Sequence, residues 1–262
     1  MNIDLTDKNA LVGAATQGIG AGIAAELAKC GAGVTLMARN EEKLKNSVAA
    51  LPVIHENQKH QYLVVDFSDF ENFKKIISEY FKINSVNILV NNTNGPEAGL
   101  VLEKDTEDFQ EAFDLLFKTV FETTRLALPS MIENKWGRII NVSSLSVKQP
   151  IPDLVLSNVA RSAVLAWSKS LSNEVAEHNI TVNSILTGYF DTERIRKLIA
   201  VESEQKNIPK EEILKARENK IPMKRLGKPE EYGHLAAFLA SDFAAYLTGA
   251  GIPLDGGLMN LY

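Results

Sequence analysis

The stretch of this chain best suited to chemistry is Gly13-Ala14-Ala15-Thr16-Gln17-Gly18-Ile19-Gly20. It follows the apolar run Ala10-Leu11-Val12 and precedes an alanine-rich amphipathic segment, Ala21 to Lys29. Read as strand, glycine turn and helix, it brings backbone close to a ligand at Gly18 and Gly20, where a Cβ would collide. It also offers the unpaired N–H groups of a helix N-terminus to a phosphate. A second strand, Val34 to Arg39, ends in a cation at the spacing of a dinucleotide-binding βαβ unit. A tight turn without a ligand is the plainer alternative, and the position between an N-terminal strand and a helix argues against it.

Other reactive side chains are sparse. His55, His60, His178 and His234 lie in surface or helical contexts without metal-ligand spacing, so solvated or core histidine is the reading for each and no metal site is expected. Lys148 reads as a solvated loop lysine. Cys30 is the single cysteine, which excludes an internal disulfide and fits a reducing compartment.

The elements that must position the glycine turn alternate along the chain. Strands are expected at Gly33–Arg39, Gln61–Asp66, Val86–Val90, Ile139–Ser144, Ile180–Ile185 and Gly251–Leu254. Helices are expected at Glu41–Leu51, Phe70–Phe81, Thr106–Glu133, about Leu156 to His178, and Glu230–Ser241, with a charged, mostly helical region from Phe190 to Pro222. The strands are apolar runs rather than period-two patterns, the mark of a parallel sheet covered on both faces. With 262 residues the chain suffices for one large α/β domain with a full core. A net charge of −5 and a pI near 5.5 argue against a general nucleic-acid binder. Neither a signal-peptide apolar region nor a membrane-length apolar run is seen, and a cytoplasmic location is expected.

Taken together these residues resemble the short-chain dehydrogenase/reductase family along essentially the whole chain. The resemblance is carried by Gly13 to Gly20, by Asn91-Asn92-Thr93-Asn94, and by Gly137-Arg138-Ile139-Ile140-Asn141-Val142-Ser143-Ser144. It continues through Val182-Asn183-Ser184-Ile185-Leu186-Thr187-Gly188 with Thr192 following, Arg225-Leu226-Gly227-Lys228-Pro229-Glu230-Glu231, Leu247-Thr248-Gly249 and Asp255-Gly256-Gly257. It implies a single Rossmann-type, doubly wound parallel sheet over residues 1–262, with a helical substrate lid at about 190–222. It also implies a nicotinamide dinucleotide at the carboxyl ends of the strands. The positions implied to meet that cofactor are Gly13, Thr16, Gln17, Gly18, Ile19 and Gly20 in the first turn, and Arg39, Asp66 and Phe67 at the next strand ends. Asn92, Thr93 and Asn94 follow on the fourth strand, with Arg161 on the serine-side helix and Thr187, Gly188, Phe190 and Thr192 after the sixth strand.

The departures concern the chemistry. Ala14 stands at the first-glycine position and should reshape the turn. Asn94 replaces a glycine, where asparagine tolerates left-handed backbone. Thr187 replaces a proline. The family's catalytic set is an asparagine, a serine, and a tyrosine with a lysine four residues on. Ser144 matches the serine, but the other positions hold Leu116, Ser157 and Arg161. Serine is far less acidic than a phenol, and arginine stays protonated, so the usual proton relay is missing. Arg161 can still hydrogen-bond a ribose hydroxyl or a substrate oxygen. Ser144, Ser157 and Arg161 are therefore the candidate catalytic residues, with Tyr189 the nearest plausible phenol. A loop aromatic packed on the lid is the plainer reading of Tyr189.

The leading expectation is an oxidoreductase moving hydride between a nicotinamide and a carbonyl or alcohol through this altered site. The alternatives are a cofactor-binding protein without turnover and, more weakly, a dehydration. Arg39, where NAD-preferring relatives carry an acid, favours NADP(H) over NAD(H), and Gln17 weakens that preference. A small-molecule substrate is expected, with no nucleic-acid or membrane partner. The long helices, apolar on several faces, suggest a homotetramer, with a dimer next.

Overall fold

The computed structural model describes residues 2–260. Seven parallel strands form one sheet in the order β3-β2-β1-β4-β5-β6-β7. They are β1 (Asn9–Gly13), β2 (Gly33–Ala38), β3 (Gln61–Val64), β4 (Ile88–Asn91), β5 (Gly137–Val142), β6 (Ile180–Thr187) and β7 (Gly251–Leu254). β1 pairs with β2 on one side and β4 on the other, so the strand order reverses there and a crevice opens at its carboxyl end.

Nine α-helices cover the sheet among the described residues: α1 (Gly18–Lys29), α2 (Glu41–Ala49), α3 (Phe70–Ile83), α4 (Thr106–Phe113), α5 (Thr119–Glu133), α6 (Val155–Val175), α7 (Glu193–Lys206), α8 (Lys210–Lys220) and α9 (Pro229–Ala240). One core joins α1, α2 and α9 to one face of the sheet through Ile23, Leu27, Leu44 and Ala236. A second joins α3, α5 and α6 to the other face through Phe73, Ile77, Ala127 and Leu171. The central strands are buried on both faces, which explains their unbroken apolar runs.

One sequence expectation changes here. The helix expected over Thr106–Glu133 is interrupted by a π-helical turn at Asp114–Lys118, which holds Leu116. The extra residue of a π-turn swings the inner face of the helix, and such turns recur at functional sites. The region after Phe190 resolves into α7 and α8, which enclose a small cluster of their own: Ile195, Ile199 and Ile213, with Tyr189 and Leu226 against it.

Candidate active site

The crevice at the ends of β1 and β4 is built by backbone approach. Asn92 Nδ2 donates to the Gly13 carbonyl at 3.0 Å. Gly18 takes a φ of 56°, which only glycine adopts freely, and opens α1 with its N–H groups facing the crevice end. Thr192 Cγ2 stands 3.2 Å from where a Cβ on Gly18 would lie, and a Cβ on Gly20 would meet the Ala14 carbonyl. Ala14 itself holds a φ of 45°, so the alanine keeps the glycine conformation rather than reshaping the turn, at a steric cost. Asn94 is different: it has no positive φ, so the left-handed tolerance of asparagine is not used. Thr93 Oγ1 donates to the Asn94 carbonyl at 3.1 Å, Thr16 and Ile19 are part-buried and Gln17 is exposed at the N-cap of α1.

Arg39 and Asp66 face each other at the ends of β2 and β3, 3.8 Å apart, and both are substantially exposed. Burial raises the Asp66 carboxyl, but hydrogen bonds from the Ser68 hydroxyl and N–H, with Arg39 nearby, outweigh it and hold the group below the usual range. Two of the implied cofactor positions turn their side chains into the core. Phe67 packs against Phe73 with ring centroids 5.4 Å apart, and Phe190 against Tyr232 at 5.2 Å. At these two positions only the backbone remains for a ligand. Both follow a strand end closely, where a large apolar side chain gains more by entering the core than by facing the crevice.

Across the crevice, Arg161 on the first turns of α6 reaches the end of β5. Its Nε donates to Ser157 Oγ at 3.2 Å and its Nη1 to the Val142 carbonyl at 2.5 Å. No carboxylate pairs with it among the described residues. Burial pushes the guanidinium down to about 10, and the positive charge of Arg194 acts in the same direction. Ser157 is thus joined to Arg161 as expected. Ser144 is not: its Oγ accepts from the Ser146 N–H at 3.1 Å and caps the turn Leu145–Val147. An N-cap at a strand end competes for a serine hydroxyl, and here it wins.

Tyr189 also departs from the catalytic expectation. Its ring lies in the α7–α8 cluster with the Arg217 guanidinium 5.5 Å from its centroid, and its hydroxyl makes no hydrogen bond among the described residues. The plainer reading of this aromatic is the one the structure carries. Thr187, at the proline position, shares a 3.0 Å hydrogen bond with the Tyr232 hydroxyl, and Gly188 N–H bonds the Leu254 carbonyl. Tyr232 is fully buried, which raises its phenol above the ordinary value. Sequence reading missed this pair, although a threonine in place of proline frees a hydroxyl that needs a partner.

Leu116 lines a cavity of about 10 Å³ together with Thr93, Asn141, Ser143 and Arg161. That is the size of a single water molecule, and Ser143 Oγ beside it is buried without a hydrogen-bond partner among the described residues. Sequence reading also missed Arg194 on the first turn of α7. Its guanidinium lies against Gly95, in the place a Cβ would take. Burial holds this arginine below its usual value. His55 and His60 serve structure: their Nε2 atoms lie 3.0 Å from the Gly31 and Pro52 carbonyls.

Comparison with known proteins gives a consistent picture. Residues 13–259 match the family model described as enoyl-(acyl carrier protein) reductase. The chain is 35% identical over 257 residues to the 3-oxoacyl-(acyl carrier protein) reductase FabG of Rickettsia conorii, covering 98% of this chain and 99% of that protein. Among solved structures it is similar to YwfH, described as an NADPH-dependent reductase involved in bacilysin biosynthesis, with a TM-score of 0.91, 29% identity, and 98% and 100% of the two chains covered. It is also similar to L-sorbose reductase from Gluconobacter frateurii, solved with NADPH and L-sorbose, with a TM-score of 0.91, 26% identity and full coverage of both chains.

Proposed function

The chain belongs to the short-chain dehydrogenase/reductase family, and on that premise we propose that it is an NADP(H)-dependent oxidoreductase acting on a carbonyl or alcohol through an altered site. The crevice residues fit a dinucleotide. Gly18 and Gly20 let the turn pack closely on Thr192 and the Ala14 carbonyl, α1 opens there with free N–H groups, and Arg39 stands largely exposed for a 2′-phosphate. Gly13, Thr16, Gln17, Ile19, Asn92, Thr93, Asn94, Thr187, Gly188 and Thr192 would complete that seat, Asp66 would hold the adenine, and Phe67 and Phe190 would contribute backbone alone. NADP(H) is preferred to NAD(H); the NADPH-dependent relatives support this choice. When bound, the nicotinamide supplies or accepts the hydride.

The chain's own part is to orient and polarise the reacting oxygen. Arg161 carries this reading. It is fixed by Ser157 and the Val142 carbonyl, it has no carboxylate partner, and it keeps N–H groups free toward the crevice. Ser144 would join it on rotating away from the Ser146 N–H. With a value near 10, Arg161 remains a cation at neutral pH and donates hydrogen bonds rather than protons. Tyr189 is engaged in the α7–α8 cluster, so water, for which the cavity beside Leu116 has room, is the proton source we favour. Residues 190–222 would act as the substrate lid of a single functional domain, in a cytoplasmic homotetramer.

A second reading keeps the dinucleotide and removes turnover. It is favoured by Leu116, Ser157 and Arg161 standing together where the family has its proton relay. The test follows NADPH consumption with a panel of ketones, oxo acids and quinones, alongside calorimetry of NADPH binding. Turnover that falls at least tenfold in Arg161→Ala supports the enzyme. Tight NADPH binding without turnover on any carbonyl supports the silent binder.

A further inference from the structure

We propose that Arg161 and Arg194 form a two-guanidinium clamp for a carboxylate, so that the substrate is an oxo acid or hydroxy acid rather than a neutral ketone. The inference rests on the oxidoreductase reading and names its substrate class. Both cations reach the loop after β4. Arg161 shares a cavity lining with Thr93, and Arg194 lies against Gly95 two residues on. The positive charge of Arg194 acts on Arg161, which burial has already desolvated. Like charges brought together in a folded protein without a counter-ion are unfavourable, and a bound anion removes the penalty.

The two acids that flank Arg194 in the chain are engaged elsewhere. Asp191 binds Arg196 at 2.8 Å and Glu193 binds Lys197 at 3.0 Å. Glu97, in the loop beside Gly95, is exposed and forms no ion pair among the described residues. On α7, with Arg196 and Lys197 paired, Arg194 is left as a guanidinium without an ion pair among the described residues. Arg161 likewise has partners only in a hydroxyl and a carbonyl, neither of which offsets its charge.

Phosphate of the dinucleotide is the other anion that could sit here, and the geometry favours a substrate carboxylate. The phosphate-facing end of the crevice is Gly18, covered by Thr192. Gly95 belongs to the segment that runs the other way: Gly99 N–H bonds the Asp153 carbonyl at 2.6 Å and pairs with Leu154, next to the start of α6. Arg194 thus lies against the segment that leads to the start of the helix carrying Ser157 and Arg161. Two forked guanidinia suit the two oxygens of a carboxylate through charge-assisted hydrogen bonds.

The test uses the full chain saturated with NADP+ and measures binding by calorimetry for 2-oxohexanoate, 3-oxohexanoate and levulinate, each against its methyl ester. At least one acid should bind about tenfold or more tightly than its ester, the scale of one charge-assisted hydrogen bond. Arg194→Gln should abolish that ratio while changing NADPH affinity less than about threefold. Acids and esters binding alike would overturn the proposal. So would Arg194→Gln weakening NADPH about tenfold with the acid-to-ester ratio intact, which would assign the guanidinium to the dinucleotide. The two readings fail separately. Neutral ketones turned over with no preference for acids would remove the clamp and keep the enzyme. An acid preference without turnover would keep the clamp and remove the enzyme.

Discussion

At the scale of single residues, Ala14 and Arg161 hold conformations that their neighbours impose. Ala14 sits at a φ of 45°, where a Cβ costs about 1–2 kcal/mol, because the turn before α1 needs a left-handed residue. Replacing it with glycine removes that strain but frees the unfolded chain by about 0.4–1 kcal/mol. The strain outweighs the gain in unfolded-chain freedom, so Ala14→Gly should stabilise the protein by roughly 0.5 kcal/mol. Thermal unfolding checks it, and a lower melting temperature would show that the strain is relieved by some other means. Arg161 is held near 10 by burial and by Arg194. The charged form is the disfavoured one, so its cost to stability is present below about pH 10 and fades as the pH rises through that value. Polarisation of the substrate should be lost over the same range. The pH profile of kcat/KM should therefore show an alkaline limb near 10. In Arg161→Lys the limb should lie lower still, since the same burial depresses an amine from a lower starting value.

At the scale of elements, helix α9 and the π-turn in the α4–α5 run are the places where local sequence decides geometry. Glu231 accepts from the Lys228 N–H at 2.7 Å and binds both Nη atoms of Arg225 at the start of α9. The Arg225 hydrogen bond is the main cause that lowers its carboxyl to about 2. A depressed carboxyl contributes stability above its unfolded value and loses it as pH falls, here between about 4.5 and about 2. Glu231→Gln should lower the melting temperature by about 2–4 °C at pH 7, the effect of roughly 1 kcal/mol for a cap and a partly exposed ion pair, and should converge with wild type near pH 2. The π-turn at Asp114–Lys118 persists although its inner residue is Leu116. Ser157→Tyr with Arg161→Lys should therefore fail to give fast ketone reduction, because the leucine side chain offers no hydrogen bond to orient a water in a tyrosine–lysine relay. Adding Leu116→Asn should raise turnover at least tenfold over that pair, and steady-state kinetics of the double and triple variants decide the matter.

At the scale of the whole molecule, the two cores account for the helices only on their inner sides. Phe117 stacks between Phe113 and Phe121, and Trp167 of α6 meets Phe117 and Phe121 edge-on, while Phe121 and Val159 remain about half exposed. An aromatic band of this kind, from the end of α4 to α6, would suit a second copy of the chain. We expect a tetramer by light scattering at micromolar concentration, and Phe121→Glu should shift it to a smaller species. A monomeric wild type would set the expectation aside.

What the sequence determined by itself was the order of elements and the nature of the crevice. Parallel strands buried on both faces must be continuous apolar runs, and a glycine turn between strand and helix has few other uses, so β1, α1 and the sheet were legible from Ala10 to Lys29 and onward. That Ser157 and Arg161 meet was legible for a similar reason: they stand at fixed offsets on one helix. The tertiary structure alone decided which neighbours compete for each side chain. Ser144 turned to cap its own loop, Phe67 and Phe190 entered the core, and Tyr189 joined the α7–α8 cluster, because packing and local hydrogen bonds outweigh a position in a motif. Arg194 belongs to no motif and lies 33 residues beyond Arg161. Only the fold brings both to the loop after β4, since electrostatic proximity across elements leaves no mark on residue spacing.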